Sequence, residues 1–419
     1  MKSSELSGFY KLTPEKRLAV IRDLAKLTDE EVTLLETMKG LSIDQANRMA
    51  ENVIGCMPLP LGLAVNFIVN GRDYVVPMAT EEPSVIAAAS NAAKMARVTG
   101  GFRASSMGSV MIGQIQMVNL PDMEKAKSSI IASKDKLLKI ANEMDPILTS
   151  MGGGAKDLRL KPLRTVRGPM LVVELLVDCK DAMGANVVNT MCEVLAPVLE
   201  DMVQGSARLR ILSNLATERL ARSEVIMRKD ELGEAVIEGM LDAYALALAD
   251  PHRAVTHNKG IMNGITAVLT ATGNDTRAVE AGAHSYAALG GRYRPLTTWE
   301  KTADGNLIGR IELPLAVGVI GGATHHPIAK ISLKILGVKS ASEFSCILVS
   351  VGLAQNFAAL KALVSEGIQR GHMKLHARNI AMTAGATGEM IDAVAERLIS
   401  EKKIRLDRAR ELLEALTKT

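Results

Sequence analysis

The sequence predicts an α+β fold, in which a mainly helical body carries an inserted ferredoxin-like (βαββαβ) unit and is followed by a C-terminal group of helices. The inserted unit is predicted by the order strand, helix, strand, strand, helix, strand between residues 109 and 213. Helical periodicity on both sides of this unit and two amphipathic helices near the C-terminus complete the prediction. At 419 residues, the chain is long enough for two or three domains.

The first hundred residues predict helices followed by one hairpin. A threonine cap and a proline at Thr13-Pro14 begin one helix, and a capping box begins another at Thr28. Asn70-Gly71 separates two apolar runs, which is a strong signal for a hairpin turn. Pro83 then opens an alanine-rich helix, so the hairpin is expected between two helical segments.

The inserted unit is predicted from a change of periodicity at about residue 109. Its elements are, in order, a strand at Val110–Val118, a long amphipathic helix at Met123–Met144, a strand around Leu158–Leu160, a buried strand at Met170–Cys179, a helix at Gly184–Met202 and a strand at Leu209–Leu212. From Ser213 helical patterns return and run to about Gly371. A short helix near Leu375 and two longer ones, at Thr387–Glu401 and Leu406–Leu416, are expected after that.

Composition and charge exclude several classes of protein. The net charge of +4 is spread along the chain without a Lys/Arg-rich block, so no nucleic-acid partner is expected. The N-terminal residues lack the core of a signal peptide, and no uncharged apolar run reaches the roughly 20 residues of a membrane span. The four cysteines have no CxxC spacing and lie in apolar surroundings, which predicts buried free thiols in a reducing compartment. A cytoplasmic protein with no membrane segment is expected.

The stretch between Arg253 and Arg277 is nearly free of charge and keeps only Lys259 and Asp275. Across the whole chain 23% of the residues are charged, so this stretch is predicted to be buried. Two opposite charges in one buried segment predict a pair, because an unpaired buried charge is costly. The pair is either a structural salt bridge or a site where a lysine meets developing negative charge.

Three further motifs carry candidate chemistry. The motif Asp181-Ala182-Met183-Gly184-Ala185-Asn186 follows a predicted strand and opens a helix, so it suits either a pyrophosphate or a simple capped turn. The adjacent carboxylates Glu81-Glu82 either complement a helix dipole or provide a proton donor. His372 and His376 have the i, i+4 spacing of metal ligands but lack an obvious third ligand, so His372 is otherwise a mobile acid or a surface histidine. No metal is expected.

Together, these motifs resemble those of class II 3-hydroxy-3-methylglutaryl-CoA (HMG-CoA) reductases, the soluble form of bacteria and archaea. The similar stretches follow the family order over nearly the whole chain. They are Glu51–Gly55, Val69–Asp73, Glu81–Ser84, Gly152–Gly154, Arg167–Val172, Asp181–Asn186, Arg210–Leu215, His257–Gly260, Gly273–Asp275, Gly321–Thr324, Gly352–Asn356 and Gly371–Met373. The membrane-anchored class takes its lysine from just beyond the Asp-Ala-Met-Gly motif, where this chain has Asn189-Thr190, so the resemblance gives that role to Lys259.

The resemblance implies a role for each matching residue. The catalytic residues of the family match Glu82, Lys259, Asp275 and His372, the last of them on a C-terminal flap. Contacts with the HMG group are implied for Ser84, Arg253 and Asn263, and contacts near CoA for Gln355 and Asn356. Cofactor contacts are implied for Asp145, Asp181, Ala182, Met183, Gly184, Ala185, Asn186 and Asn214.

The resemblance also implies the organisation of the protein. Residues 1–108 and 214–370 would form a large substrate- and CoA-binding domain, residues 109–213 a small NAD(P)-binding domain, and residues 371–419 the flap. The implied assembly is a homodimer, or a higher oligomer such as a hexamer, with its active site at the subunit interface. Glu82 would come from one protomer, and Lys259 with Asp275 from the other.

The implied reaction interconverts HMG-CoA with mevalonate and coenzyme A by two hydride transfers, in the mevalonate pathway to isoprenoids. Lys259 would stabilise the oxyanion, Glu82 would deliver protons to oxygen, and His372 would protonate the departing thiolate. Three alternatives stay open. They are the same enzyme oxidising mevalonate, a non-catalytic CoA- or dinucleotide-binding homologue, and a metal-dependent enzyme that uses His372 with His376.

The choice of cofactor depends on Asp145. An acidic residue accepts hydrogen bonds from an adenosine ribose 2′-hydroxyl and repels a 2′-phosphate, which favours NADH over NADPH. Lys156 and Arg159 follow nearby and are the competing ligands for a phosphate.

Overall fold

The computed structural model describes residues 3–38, 40–321, 326–365 and 368–417, without the side chains of residues 368–375. Within these residues, the strands form a two-stranded hairpin and two four-stranded sheets. Helices cover the sheets and supply most of the remaining chain. The α+β fold predicted from the sequence is confirmed.

The N-terminal part has the predicted helices and hairpin. Its helices are α1 (Pro14–Ala25), α2 (Asp29–Glu36) and α3 (Ile43–Met49), and its strands are β1 (Leu61–Val69) and β2 (Arg72–Ala79). The Thr28 side chain accepts from the Glu31 amide and the Glu31 carboxylate accepts from the Thr28 amide, which completes the capping box. Asn70 and Gly71 both have positive φ, at 51° and 77°, as the tight hairpin turn requires.

The inserted unit is an antiparallel sheet with strand order β5-β6-β4-β7. Its strands are β4 (Val110–Val118), β5 (Gly154–Thr165), β6 (Gly168–Asp178) and β7 (Ser206–Leu212), and its helices are α5 (Met123–Ala132), α6 (Lys134–Asn142), α7 (Pro146–Ser150) and α8 (Ala185–Val203). This order, with the helices between strands, is that of the predicted ferredoxin-like unit. Val188, Cys192 and Leu199 are among the residues by which α8 packs on the buried face of the sheet.

The prediction of one long helix from Met123 to Met144 was wrong, because the chain leaves helical geometry at Ser133. Ser133 has φ −102° and ψ 10°, and its amide is shared between the carbonyls of Ser129, Ile130 and Ile131. Serine is a weak helix former, so a break there costs little.

The larger body surrounds a sheet with strand order β3-β8-β10-β9, all four strands of which the sequence analysis missed. Its strands are β3 (Arg103–Ser106), β8 (Leu220–Met227), β9 (Thr297–Lys301) and β10 (Leu307–Pro314). In β8, the outward Arg222 and Glu224 alternate with the buried Ala221, Ser223 and Val225. The inward residues include alanine and serine, so the alternating pattern carried little hydrophobic contrast and the prediction of a purely helical segment was wrong.

The helices of this body are α4 (Val85–Arg97), α9 (Lys229–Leu232), α10 (Glu234–Ala249), α11 (Pro251–Ala271), α12 (Thr276–Ala287), α13 (Pro327–Leu336) and α14 (Ala341–Val364). α14 is long and apolar enough, by length and composition alone, to cross a membrane. However, its residues from Phe344 to Phe357 are buried in the main core, where they pack with α4, α10, α11 and β8. Its apolar character is therefore explained by its place at the centre of the fold.

The C-terminal helices form a small core of their own. They are α15 (Ile368–Thr383), α16 (Glu389–Ser400) and α17 (Leu406–Thr417). Ala377, Val394, Leu398 and Leu412 are buried between them. The two predicted amphipathic helices are confirmed, whereas the helix expected to be short near Leu375 extends over 16 residues.

The cysteines differ from the prediction at one position. All four are free thiols, and Cys179, Cys192 and Cys346 are buried as expected. Burial raises the pKa of Cys179 and of Cys192 to about 12. Cys56 is exposed, because residues 53–60 form neither helix nor strand and lie on the surface.

Candidate active site

Helix α11 presents two different faces, and the candidate site lies on its outer one. Asp250 caps the helix by accepting from the amides of His252 and Arg253. Its inner face is buried, with Ala254, His257, Ile261 and Ile265 in the core. Lys259 and Asn263 are one turn apart and therefore share the outer face.

Glu82 meets both of these residues with its two carboxylate oxygens. It lies in the turn between β2 and α4, where its amide donates to Thr80 Oγ1 at 3.1 Å. Lys259 Nζ donates to Glu82 Oε2 at 2.9 Å, and Asn263 Nδ2 donates to Glu82 Oε1 at 3.1 Å. The Lys259 side chain is 59% exposed and that of Glu82 is 38% exposed, so the pair stands at a surface that a ligand can reach.

This contact corrects the expected division of the site between two protomers. Glu82 and Lys259 were expected from different protomers, but they pair within one chain. The reason is that the turn after β2 lies against α11, onto which β2 also packs. The Glu82–Lys259–Asn263 cluster is therefore complete in each chain.

Asp275 does not pair with Lys259, and neither residue is buried, so both parts of that prediction were wrong. Asp275 is the cap of α12, accepts from the Ala278 amide at 3.0 Å and is 41% exposed. Lys259 lies 12 residues before Ala271, the last residue of α11, so at a rise of about 1.5 Å per residue it is roughly 18 Å from the end of the helix that Asp275 follows. No lysine side chain spans that distance, so spacing along the sequence was misleading.

Two of the expected substrate ligands have free polar groups. Ser84 is the residue before α4 and has φ 73°, and its hydroxyl makes no capping hydrogen bond. Arg253 is half-buried in the first turn of α11, and its guanidinium makes no ion pair with any residue that the structure describes. Burial lowers the pKa of Arg253, although a guanidinium stays charged and suits a carboxylate.

The neighbours Gln355 and Asn356 on α14 have different surroundings. Asn356 is 1% exposed and fully used, because its Oδ1 accepts from Thr297 and Trp299 and its Nδ2 contacts His257. It is therefore a core residue whose polar atoms already have partners among the described residues, and its expected place near CoA stays a prediction. Gln355 is also buried, but its Oε1 has no hydrogen-bond partner among the described residues. Its side chain packs beside Gly264, which follows Asn263.

His257 belongs to the same buried network and was missed as a structural residue. Its Nε2 lies 2.6 Å from Thr297 Oγ1 and 3.0 Å from Asn356 Nδ2. Burial, with a smaller contribution from Arg253, lowers the pKa of His257 to about 3. The histidine is therefore neutral, and it links α11 to α14 and β9 on the side of α11 opposite Lys259 and Asn263.

The Asp181–Asn186 motif forms the turn between β6 and α8, as predicted. Gly184 precedes α8 with φ 107°, and a Cβ there would lie 2.4 Å from Cys179 Sγ, so only glycine fits. The Asp181 carboxylate accepts from the Ala341 amide at 2.8 Å and so holds the N-terminus of α14. One oxygen of Asp181 thus has a structural task, whereas Asn186 is exposed at the start of α8.

Asp145 is the cap of α7, in the segment between α6 and β5. One of its carboxylate oxygens accepts from the Leu148 amide at 2.9 Å. Residues on both sides of it, Asn142, Glu143, Pro146 and Thr149, line a surface cavity of about 520 Å³. Of the competing phosphate ligands, Arg159 pairs with Glu218 and Lys156 donates to the Gly152 carbonyl. Asn214 is exposed after β7.

The remaining histidine candidates lie on α15. The side chain of His372 is outside the described residues, and His376 is exposed. Among the side chains that are described, no three His, Cys, Asp or Glu residues stand close enough to hold a metal ion.

Comparison with known proteins identifies the family. The family model of hydroxymethylglutaryl-coenzyme A reductase matches residues 13–377. This chain belongs to the HMG-CoA reductase family. It is 58% identical to the 3-hydroxy-3-methylglutaryl-coenzyme A reductase of Archaeoglobus fulgidus over 416 residues, which cover 99% of this chain and 95% of that protein. It is 36% identical to a probable HMG-CoA reductase of Borreliella burgdorferi, with 96% of this chain and 94% of that protein covered.

Solved HMG-CoA reductase structures share the whole fold. One from Streptococcus pneumoniae is 43% identical to this chain and has a TM-score of 0.83. The match covers 98% of this chain and 99% of the solved one. A second, described as the class II enzyme of Streptococcus pneumoniae bound to NADPH in open conformations, is 43% identical with a TM-score of 0.81. That match covers 97% of this chain and 100% of the solved one. The resemblance to class II HMG-CoA reductases that the motifs indicated is confirmed.

Proposed function

We propose that this protein reduces HMG-CoA to mevalonate and coenzyme A with two equivalents of NAD(P)H. The observation that carries the proposal is the contact of Glu82 with both Lys259 and Asn263 at an exposed surface. A lysine cation and a carboxyl group that touch each other can act on one substrate oxygen. A non-catalytic homologue would have no need to keep such a pair in an accessible position.

The chemistry follows from where charge develops. Bound NAD(P)H supplies a hydride to the thioester carbonyl carbon, and later a second hydride to the aldehyde carbon. In each reduction the former carbonyl oxygen becomes negative, and Lys259 Nζ stabilises it there. Glu82 delivers the proton that turns the final alkoxide into the alcohol, and His372 gives a proton to the departing CoA thiolate. In total, one thioester, two hydrides and two protons are converted into one alcohol and one thiol.

The substrate is held by residues beside this cluster. Arg253 offers a guanidinium fork to the HMG carboxylate, and Ser84 offers an unused hydroxyl. The unpaired Oε1 of Gln355 gains a donor when substrate or CoA is bound. Asn263 holds Glu82 in addition to its expected contact with the substrate.

The cofactor is proposed to lie along the inserted unit. The turn at Gly184 brings backbone amides and the N-terminus of the 19-residue α8 to one point, which suits a pyrophosphate. Asp145 keeps one carboxylate oxygen free for a ribose 2′-hydroxyl. We therefore propose NADH as the preferred cofactor, with the adenosine near the cavity beside α7.

A second copy of the chain is proposed to complete the site. Asp275 cannot reach Lys259 of its own chain, yet it is exposed and keeps Oδ2 free of hydrogen bonds within the described residues. In a homodimer it can approach the Glu82–Lys259–Asn263 cluster of the other copy. The exposed apolar side chains of Ile54 and Met57 indicate a surface for that contact. A hexamer would be an assembly of such dimers.

The domain division is proposed to follow the separate hydrophobic cores. Two cores lie in the large body, a third in the inserted unit and a fourth among α15–α17. These cores support a substrate- and CoA-binding domain of residues 1–108 and 214–370, a cofactor domain of residues 109–213 and a flap of residues 371–419. We also propose that the protein is cytoplasmic, because HMG-CoA and reduced nicotinamide cofactors are available there.

The proposal is tested by a stoichiometric assay. HMG-CoA should oxidise two molecules of NADH or NADPH for each thiol of coenzyme A that is released, and mevalonate should appear in the same amount. The reverse assay, with mevalonate, CoA and oxidised cofactor, shows whether the oxidative direction is faster. Protein that binds NAD(P)H but catalyses neither direction would overturn the proposed function.

A further inference from the structure

Arg219 is buried where the chain passes from the inserted unit into the large body. The residue is only 2% exposed. Its Nη1 donates to the carbonyls of Ala182 and Met183, at 3.2 and 2.9 Å, and its Nη2 donates to the carbonyl of Val317 at 2.8 Å. One guanidinium thus joins the turn before α8 to the segment that follows β10.

The charge of Arg219 has no direct counterion. In the part of the chain that the structure describes, no carboxylate lies within ion-pair distance of it. Asp178 and Asp181 act on it only at longer range, since Asp178 bonds Ser109 and Lys180 and Asp181 bonds the Ala341 amide. Burial lowers the pKa of Arg219, but a guanidinium remains protonated in proteins. A buried cation therefore lies behind the turn.

The bonds to Ala182 and Met183 also orient the turn. In a planar trans peptide, the carbonyl and the following amide point in opposite directions. Because the carbonyls of Ala182 and Met183 face Arg219, the amides of Met183 and Gly184 face away from it. These two amides donate to no acceptor within the described residues. The turn is thus built with free donors on one side and a cation on the other.

We propose that Arg219 is a positioning residue for the dinucleotide. It fixes the Ala182–Gly184 turn so that its amides meet the pyrophosphate, and its own charge stabilises that anion from behind. This role rests on the proposed function, because it assumes that NAD(P)H binds at this turn. Arg219 itself does not touch the cofactor.

Gly318 gives an independent way to disturb the same turn. A Cβ at Gly318 would lie 2.6 Å from the Met183 nitrogen and 3.0 Å from the Ala182 carbonyl carbon. These are backbone atoms, so the turn itself would have to move. Gly318→Ala therefore displaces the turn and leaves the charge of Arg219 in place.

The test measures cofactor binding without HMG-CoA, from the fluorescence of reduced nicotinamide. Arg219→Met is expected to raise the Kd for NADH and NADPH at least about tenfold, because the displaced turn loses one or two hydrogen bonds from its amides to the charged pyrophosphate. Arg219→Lys should recover part of this loss, and Gly318→Ala should also weaken binding. The control is Arg310→Met, which removes an exposed arginine that pairs with Glu224 and Glu300 in the large body.

Competition separates positioning from general loosening of the fold. Arg219→Met should weaken inhibition by ADP-ribose, which has the pyrophosphate, much more than inhibition by adenosine, which lacks it. The KM for HMG-CoA should stay within about twofold. Equal losses for both competitors, or folded Arg219→Met with wild-type cofactor affinity, overturn the inference while the proposed function stands.

Two further outcomes are decisive. If Arg219→Met does not fold, Arg219→Lys and Gly318→Ala carry the test, and unchanged Kd values in both overturn the inference. If the wild-type protein binds neither NADH nor NADPH, the proposed function and this inference both fall.

Discussion

Replacing Lys259 with alanine should abolish turnover and leave the fold intact. The Glu82–Lys259 pair is exposed, at 38% and 59%, and exposed ion pairs contribute roughly 0–1 kcal/mol to stability. A donor that stabilises an oxyanion contributes more to catalysis, and its loss costs about 2.7–4 kcal/mol, or roughly 100- to 1,000-fold in kcat. The free-energy cost of Lys259→Ala should therefore be several times larger for the catalytic step than for the unfolding equilibrium.

The assay is HMG-CoA-dependent oxidation of NAD(P)H, together with thermal unfolding of the same samples. Lys334→Ala is the matched control, because Lys334 makes a similar pair with Glu31 at 2.6 Å on α13 and α2, away from the site. Both variants should unfold close to the wild type, and only Lys259→Ala should lose activity. Lys259→Ala that keeps more than about a tenth of the wild-type kcat would refute the reasoning.

Three other predictions follow from single contacts. Asn263→Ala removes the 3.1 Å hydrogen bond to Glu82, so kcat should fall about 10- to 100-fold while the Kd for the cofactor stays unchanged. An unchanged kcat would show that this hydrogen bond does not contribute to catalysis. Asp145→Ser keeps a capping oxygen for the Leu148 amide but removes the negative charge. The ratio of kcat/KM for NADH to kcat/KM for NADPH should therefore fall about tenfold. A wild-type protein that uses NADPH as well as NADH, or better, would contradict the proposed preference for NADH. The pKa of His257 is about 3 in the folded protein and 6.5 in the unfolded one. Neutral His257 therefore stabilises the fold fully above pH 6.5, and the free energy of unfolding should fall by about 2 kcal/mol between pH 7 and pH 5. Thermal unfolding of His257→Gln should lack this part of the pH dependence, and equal slopes for both proteins would show that His257 is not the cause.

Local signals in the sequence predicted much of the fold. The turn at Asn70-Gly71 was predictable because its two positive φ angles favour those residues. The strand β6 was predictable because it is buried on both faces and is therefore nearly continuous in apolar residues. The strand β8 was missed because its inward positions include Ala221 and Ser223, and these small residues do not produce the alternating apolar pattern that indicates a strand.

The candidate site was predictable in its residues and not in its contacts. The charge-poor stretch around Lys259 did indicate burial, but of the inner face of α11 only. Lys259 and Asp275 are close in sequence, but Lys259 lies in the middle of α11 and Asp275 lies past its C-terminal end, about three helical turns away. The partner of Lys259 is Glu82, 177 residues earlier, and no local pattern encodes that contact. The role of Asn356 as a buried link to Trp299 likewise needs the packed structure.

Subunit complementation tests the arrangement of the active site most directly. Lys259→Ala and Asp275→Ala, each inactive alone, should give about a quarter of wild-type activity when co-expressed, because half of the dimers are mixed and each mixed dimer has one intact site. Glu82→Gln with Lys259→Ala should give none, since both residues belong to the same chain's cluster. The reverse result, with activity from the second mixture and none from the first, would contradict the account.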